Sequence, residues 1–460
     1  MLIRFTVENF LSFKDEIEFS MVSSRKTRHP SHIVKRERKS DLRLLKTGVL
    51  YGANASGKSN IISSMAFAKD MVLGGVPAGG NIPVQPFLLD SALEKNPSKF
   101  EFEFRVGQHD YIYSFELDKH RVHHEQLCKI KHNDEIKLFE RTTSKEGLAK
   151  VSFSNNAGPA SFDELFLAHV ARSTRPEQLF INECIESNVS DFDVVESWFR
   201  NHLKIMFPGW TAYNKEIRFF NEPDFKARFR DLINLFDLHI HDIDLHEIDF
   251  DSDPRIPRQA KADLKRMILE QQPEGSVVGL LTVSQEPVPY YTTSVPFTVT
   301  ENKDVRSLFF VTHHQADQGA RTVGFDMTQE SDGTRRLFDI VPGLIDLFEH
   351  GNQQVLVIDE IDRSLHAHQT YGLLELFLEN TAYRPSQFIV TTHESGILDL
   401  DLLRPDEIWF IEKDGHGASA LYSLEEFKPQ YHSDIRSGYL HGRFGAIPIL
   451  PSYNILDWAK

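Results

Sequence analysis

The chain has 460 residues, of which 40% are hydrophobic and 26% charged, and its formal net charge is −16. That composition belongs to a globular protein with room for two or three lobes, and the acidic balance excludes a generally basic nucleic-acid binder, leaving only local basic patches for such contacts. Two cysteines, Cys128 and Cys184, build neither a disulfide framework nor a four-cysteine zinc site, so a reducing cytoplasm is the expected home, and no apolar run is long enough to span a membrane.

In chain order, residues 1–22 read as two strands. Leu2, Phe5 and Val7 lead into a turn around Asn9–Lys14, and Ile17–Met21 alternates again, which makes the N-terminus a strand and not a signal peptide. Cations then crowd the segment Arg25–Lys46: Arg25, Lys26, Arg28, Lys35, Arg36, Arg38, Lys39, Arg43 and Lys46, opposed by Glu37 and Asp41. Two readings stand, a solvated loop of mixed charge or a basic rim that contacts nucleotide or nucleic acid.

Val49-Leu50-Tyr51 precedes Gly52-Ala53-Asn54-Ala55-Ser56-Gly57-Lys58-Ser59, and Asn60–Phe67 follows it. The order strand, glycine loop, helix fits the phosphate-binding pattern G-x-x-x-x-G-K-[ST]. A loop that wraps phosphate turns its backbone N–H groups inward, so Gly52 and Gly57 stand at the tightest points with the small Ala53, Ala55 and Ser56 between them. The helix starting near Lys58 aims its N-terminal amides at the anion. Lys58 brings a charge to the β- and γ-phosphates of a nucleotide, and the Ser59 hydroxyl suits Mg²⁺.

Gly74–Gly80 is a flexible connection, followed by Ile82–Phe87. Phe100–Val106 and Tyr111–Leu117 alternate cleanly around a turn at Gly107–Asp110, and Val122–Ile130 and Lys137–Arg141 continue an antiparallel sheet. Helices are expected at Phe162–Val170, Val194–Phe199, Pro223–Leu235 and Ala260–Glu270. His239–Asp251 is dense in His and Asp but lacks the i, i+4 histidine spacing of a helical zinc motif, and reads as a half-buried strand. Gln271–Pro296 reads as an irregular insertion, and Leu308–His314 and Thr322–Met327 as strands. No fixed-period repeat or sustained heptad run occurs.

Val355–Ile358 is an apolar run ending in Asp359 and Glu360, the pattern of a buried parallel strand with acids at its ligand-binding end. Asp359 suits the Mg²⁺ shell, and Glu360 suits a base that orients and deprotonates the attacking water. A second such strand, Phe388–Thr392, ends at His393, which places that histidine on the same sheet edge with access to the γ-phosphate. Upstream, Glu330-Ser331-Asp332-Gly333-Thr334 opens the apolar helix Leu337–Phe348, where Ser331 alone would read as a helix cap.

Taken together, these motifs resemble the ABC-type ATPases of the SMC, RecF and OLD group, and among them the compact stand-alone ATPases of prokaryotic antiphage and abortive-infection systems. The matching residues are Val7–Phe13, Gly52–Ser59, Pro86-Phe87, Glu125-Gln126-Leu127, Glu330–Thr334, Ile358–His366, Thr391–His393, Asp406–Phe410 and Tyr439–Pro448. The resemblance implies an α/β fold, an ABC-type P-loop ATPase head with an antiparallel β-subdomain and a helical lobe. It divides the chain at 1–150, 151–325 and 326–460. It implies that Ser331 and Gly333 form the signature motif, which reaches ATP bound by a second subunit. Asp362 becomes the residue at that dimer seam, His393 the switch histidine and Gln85 the Q-loop contact to Mg²⁺. The nucleotide shell then comprises Gly52, Asn54, Ala55, Ser56, Gly57, Lys58, Ser59 and Asn60, with Ser59, Asp359 and Gln85 at the metal and Glu360, His393 and Lys58 in the chemistry. Ser-Asp-Gly-Thr replaces the transporter form Ser-Gly-Gly-Gln, keeping the serine and the following glycine.

No SMC coiled coil is expected, and the stretch after His393 reads as short for an appended nuclease domain, so a chain without its own nuclease is the expectation. A homodimer or higher homo-oligomer acting with a separately encoded effector, a nuclease, is the implied partnership. Two alternatives are a RecF-like DNA-repair ATPase using Arg25–Lys46, and a self-contained nuclease using His313-His314 or the His239–Asp251 cluster.

Overall fold

The computed structural model describes residues 1–448 apart from 36–37, 39–40, 132–133, 154–163, 209–217, 220–221, 272–276, 285–291, 301, 350–352, 383 and 431–433. Arg36, Lys39 and the first two residues of the helix expected at Phe162–Val170 therefore lie outside the described residues, as do parts of the insertion expected at Gln271–Pro296. The chain forms two units. One contains residues 1–205, 350–362 and 370–460, and the other residues 206–349 and 363–369.

Among the described residues, the first unit holds two sheets. The antiparallel one is built from β1 (Leu2–Glu8), β2 (Ile17–Ser20), β4 (Ser98–Val106), β5 (His109–Leu117), β6 (Val122–Lys131), β7 (Asp134–Thr143) and β8 (Ala149–Phe153), in the order β2-β1-β4-β5-β6-β7-β8. Alternation puts Phe100, Phe102 and Phe104 of β4 fully inside. The other sheet contains β3 (Thr47–Tyr51), β9 (Leu203–Met206), β15 (Val355–Ile358), β16 (Gln387–Thr392), β17 (Ile408–Lys413) and β18 (Ser419–Ser423), in the order β18-β17-β3-β16-β15-β9. β17, β3, β16 and β15 run parallel. Every residue of β3, β15 and β16 is buried, which is why these strands read as unbroken apolar runs.

The boundary expected at 150 is not the boundary of this unit, and a hydrogen-bonded knot explains why its first segment extends to Ile205. Glu125 of β6 accepts from the backbone N–H groups of Phe180 and Ile181 at 2.6 and 3.2 Å, at the start of the helix Phe180–Glu186. Arg141 of β7 donates to the carbonyls of Arg175, Pro176 and Gln178. The helix expected at Val194–Phe199 is a short one, Asp193–Ser197, that widens into a π turn and leads directly into β9, an unforeseen strand of the parallel sheet.

The second unit holds the expected helices together with an antiparallel sheet that was not expected there. Its sheet contains β10 (Asp242–Asp249), β11 (Val277–Ser284), β12 (Thr292–Val299), β13 (Val305–Ala316) and β14 (Arg321–Asp326). The order is β10-β13-β12-β11, with β14 also paired to β13. The stretch read as an irregular insertion supplies β11 and β12, paired from Val277↔Val299 to Ser284↔Thr292. Its β-branched residues outweigh the proline and glycine signals. The helices Pro223–Asn234 and Asp332–Phe348 fall where expected and join the strands in an aromatic core of Phe219, Phe229, Phe310 and Phe338.

Candidate nucleotide-binding site

The loop 52–59 joins β3 to α1 (Lys58–Leu73) in the first unit. Its two glycines are required for different reasons. A Cβ on Gly52 would stand 2.5 Å from the Ile411 carbonyl, so the neighbouring strand leaves no room. Gly57 has φ +116°, in the left-handed region, and a Cβ there would meet Ser419 Oγ at 2.5 Å. Ala55 also has positive φ, at 61°. Asn54, Ala55 and Ser59 are exposed along the loop, whereas Ser56 and Lys58 are buried. The Lys58 ammonium folds back onto the loop, donating to the carbonyls of Gly52 at 2.7 Å and Ala53 at 2.9 Å.

The parallel register sets the rest of the site. Tyr51 pairs with Thr392 and Ile358 with Val390, so Gly52, Asp359 and His393 all leave the sheet at one carboxyl edge. Asp359 is 2% exposed and its Oδ1 accepts from Thr391 Oγ1 at 2.6 Å. The same hydroxyl accepts the Glu360 N–H at 2.7 Å, which steers Glu360, at φ 49°, out from beneath the sheet. Asp362 Oδ2 accepts the backbone N–H of His393 at 3.2 Å, and its Oδ1 is buried without a hydrogen-bond partner among the described residues.

Electrostatics tie these groups together. Burial lowers the Lys58 ammonium to a pKa of about 8, while Asp359, Asp362 and Glu360 pull it the other way. His393 is lowered by burial and by Lys58, against the same three carboxylates, which leaves its imidazole neutral near pH 7. A bound triphosphate favours the charged lysine, so nucleotide affinity should be flat below about pH 8 and fall above it, until the raised pKa of the complex is reached. Calorimetry in buffers of different ionisation enthalpy should show proton uptake on ATP binding above that pH and little below it.

Two serines that the sequence reading did not single out brace the loop. The Ser419 hydroxyl of β18 donates to the Ser56 carbonyl at 2.6 Å and lies 2.8 Å from Ser12 Oγ, whose proton it can accept, and the Ser419 N–H donates to the Ser12 carbonyl at 2.7 Å. Asn60 Nδ2 donates to the same Ser12 hydroxyl at 2.6 Å. Only the position of Ser12 in the turn after β1 hinted at this. Gln85 is exposed, and its carbonyl accepts the Leu11 N–H at 2.9 Å beside that turn.

Ser331 and Gly333 belong to the second unit. Ser331 is exposed and caps the helix Asp332–Phe348, accepting the Thr334 N–H at 3.1 Å. A Cβ on Gly333 would stand 2.7 Å from the Ser364 carbonyl, so this turn tolerates no side chain. In the basic segment, Lys26 pairs with Glu425 and Arg28 with Asp401. His32 is within 3.0 Å of buried Glu407, and Lys46 is itself buried, donating to the Thr381 carbonyl. Lys26 and Arg28 thus have acidic partners and Lys46 is turned inward.

A family model described as "AAA domain, putative AbiEii toxin, Type IV TA system" (AAA_21) matches residues 49–399. The chain belongs to this family. The match begins in β3 and ends just beyond His393, so it takes in the loop, the two acids, the histidine and the turn at Ser331. The mainly parallel sheet bearing the loop 52–59 and the antiparallel sheet beside it make the first unit a mixed α/β fold. No curated protein matches the chain. Among solved structures, an SMC head bound to the C-winged helix domain of ScpA is 13% identical, covering 93% of this chain and 99% of that chain, with a TM-score of 0.34. The SMC head domain from Thermotoga maritima is 11% identical over 92% and 98%, with a TM-score of 0.33. The Smc head domain bound to the C-terminal domain of ScpA derived from Pyrococcus furiosus is 14% identical over 93% and 99%, also with a TM-score of 0.33. No described helix is long and apolar enough to cross a membrane.

Proposed function

We propose that the protein binds and hydrolyses ATP, dimerises around it, and regulates a separately encoded effector, a nuclease, in antiphage defence. The observation that carries this reading is the single sheet edge shared by the Lys58 loop, Asp359, Glu360 and His393. The exposed Ser59 hydroxyl and the buried Asp359 carboxylate are the oxygen donors that Mg²⁺ prefers, and the ion would neutralise charge developing on the phosphates. Lys58 exchanges its two loop carbonyls for phosphate oxygens. Glu360 accepts the proton of the attacking water, and neutral His393 hydrogen-bonds the γ-phosphate.

In this reading Ser331 and Gly333 act in trans, closing on the γ-phosphate held by the other subunit, so the dimer persists only while the triphosphate is intact. The exposure of Ser331 and the small Gly333 support such a contact, and the family description supports a place among abortive-infection systems. The test pairs two variants. Lys58→Ala, which removes charge-assisted bonds worth about 1.5–3 kcal/mol each, should weaken ATP binding at least about ten-fold and abolish turnover. Ser331→Arg should keep the affinity of the monomer but lose ATP-dependent dimerisation in analytical ultracentrifugation. Full turnover in Lys58→Ala, or unchanged dimerisation in Ser331→Arg, defeats the corresponding half of the proposal.

A further inference from the structure

We propose that Asp244, His246 and His313 of the second unit form a binding site for a divalent cation of the zinc class. The site lies within the second unit and rests on strand geometry. β10 and β13 pair antiparallel, with Asp242 opposite His313, Asp244 opposite Val311 and His246 opposite Phe309. Alternate residues share a sheet face, so Asp244 and His246 of β10 stand on the same face as His313 of β13. One ligand atom from each of the three lies within 4.8 Å of the others, and His313 Nε2 is 3.1 Å from Asp244 Oδ2.

Bonds of about 2.0–2.2 Å in a tetrahedral zinc site hold ligand atoms about 3.4 Å apart. The cluster therefore has to close by up to about 1.4 Å, which rotation of the half-buried Asp244 and the exposed His246 supplies. Two imidazoles and one carboxylate suit zinc, cobalt or nickel, whereas magnesium and calcium prefer oxygen donors. Three protein ligands leave a coordination position for water or an outside ligand.

The carboxylate already draws a cation, since Lys226 Nζ lies 3.8 Å from Asp244 Oδ1. A bound metal would displace that ammonium into solvent and take the place of the proton between His313 Nε2 and Asp244 Oδ2, with His313 coordinating as the neutral tautomer whose proton sits on Nδ1. The same alternation separates His313 from its neighbour. His314 faces the other way and bonds Glu330 Oε1 at 2.7 Å, immediately before Ser331. The expected His313-His314 pair is thus not one site. A metal that clamps β10 to β13 stiffens the strand that braces the Ser331 turn.

The full chain, stripped with a chelator and free of nucleotide, should be titrated with Zn²⁺ by calorimetry and with Co²⁺ by visible absorption. The expected result is one Zn²⁺ per chain, a Co²⁺ band of a histidine-ligated site, and a Zn²⁺-dependent rise in melting temperature. His246→Ala, on an exposed side chain, and His313→Ala should each weaken binding at least about ten-fold and remove the thermal shift. His239→Ala, exposed and outside the cluster, should keep both. Absence of Zn²⁺ binding to the folded wild-type chain, or binding unchanged in both cluster variants, overturns the assignment.

Discussion

Glu360→Gln should lower ATP turnover by about 10²–10⁴-fold, the usual contribution of a positioned general base, while leaving ATP affinity within a few-fold of wild type. The two adjacent acids differ in surroundings. Asp359 is buried and accepts the Thr391 hydroxyl, as a group held for an ion would be. Glu360 is turned outward by its φ of 49° and by the bond from its N–H to the same hydroxyl. Glutamine preserves its shape and removes its basicity. Single-turnover hydrolysis, equilibrium nucleotide binding and sedimentation with ATP separate the effects. The variant should accumulate as a persistent ATP-bound dimer, and hydrolysis at the wild-type rate would assign the base elsewhere.

Glu125→Ala should cost about 3–5 kcal/mol of stability, because it strands a buried cation. Glu125 and Arg141 are both 0% exposed, 3.5 Å apart. Burial pushes the Glu125 carboxyl up and the Arg141 guanidinium down, and their attraction opposes both shifts. The carboxylate also holds the Tyr113 hydroxyl at 2.9 Å and two amides of the helix Phe180–Glu186. Urea unfolding should show the loss. Adding Arg141→Met should recover part of it, since the second change removes the unpaired charge. A single variant as stable as wild type would mean that water reaches this pocket.

Much of the candidate site's geometry was legible because its motifs are local in sequence. The loop 52–59 carries its own glycine spacing, and the strands before Asp359 and His393 declare their burial by unbroken apolar runs. The parallel register then brings Gly52, Asp359 and His393 to one edge without further information. What escaped the reading depends on contacts between distant segments. Ser12 and Ser419 are separated by most of the chain, and nothing near either marks it as a brace. β9 follows a short helix and has only four residues, too few for a pattern to show. β11 and β12 were hidden by proline and glycine that signal loops elsewhere, and pairing overrode them. The basic character of Arg25–Lys46 is plain in the sequence, but the acids that pair with its Lys26 and Arg28, Glu425 and Asp401, come from the other end.

The bracing of the phosphate loop has a consequence for synthesis. Leu2 exchanges two hydrogen bonds with the Gln387 side chain, and Ser56 waits for Ser419. A ribosome that has just released residues 52–59 has made the motif but not the pocket. The nascent chain must emerge past β18 before the loop gains its last support, so products that terminate early carry the nucleotide signature without a finished place to hold the nucleotide.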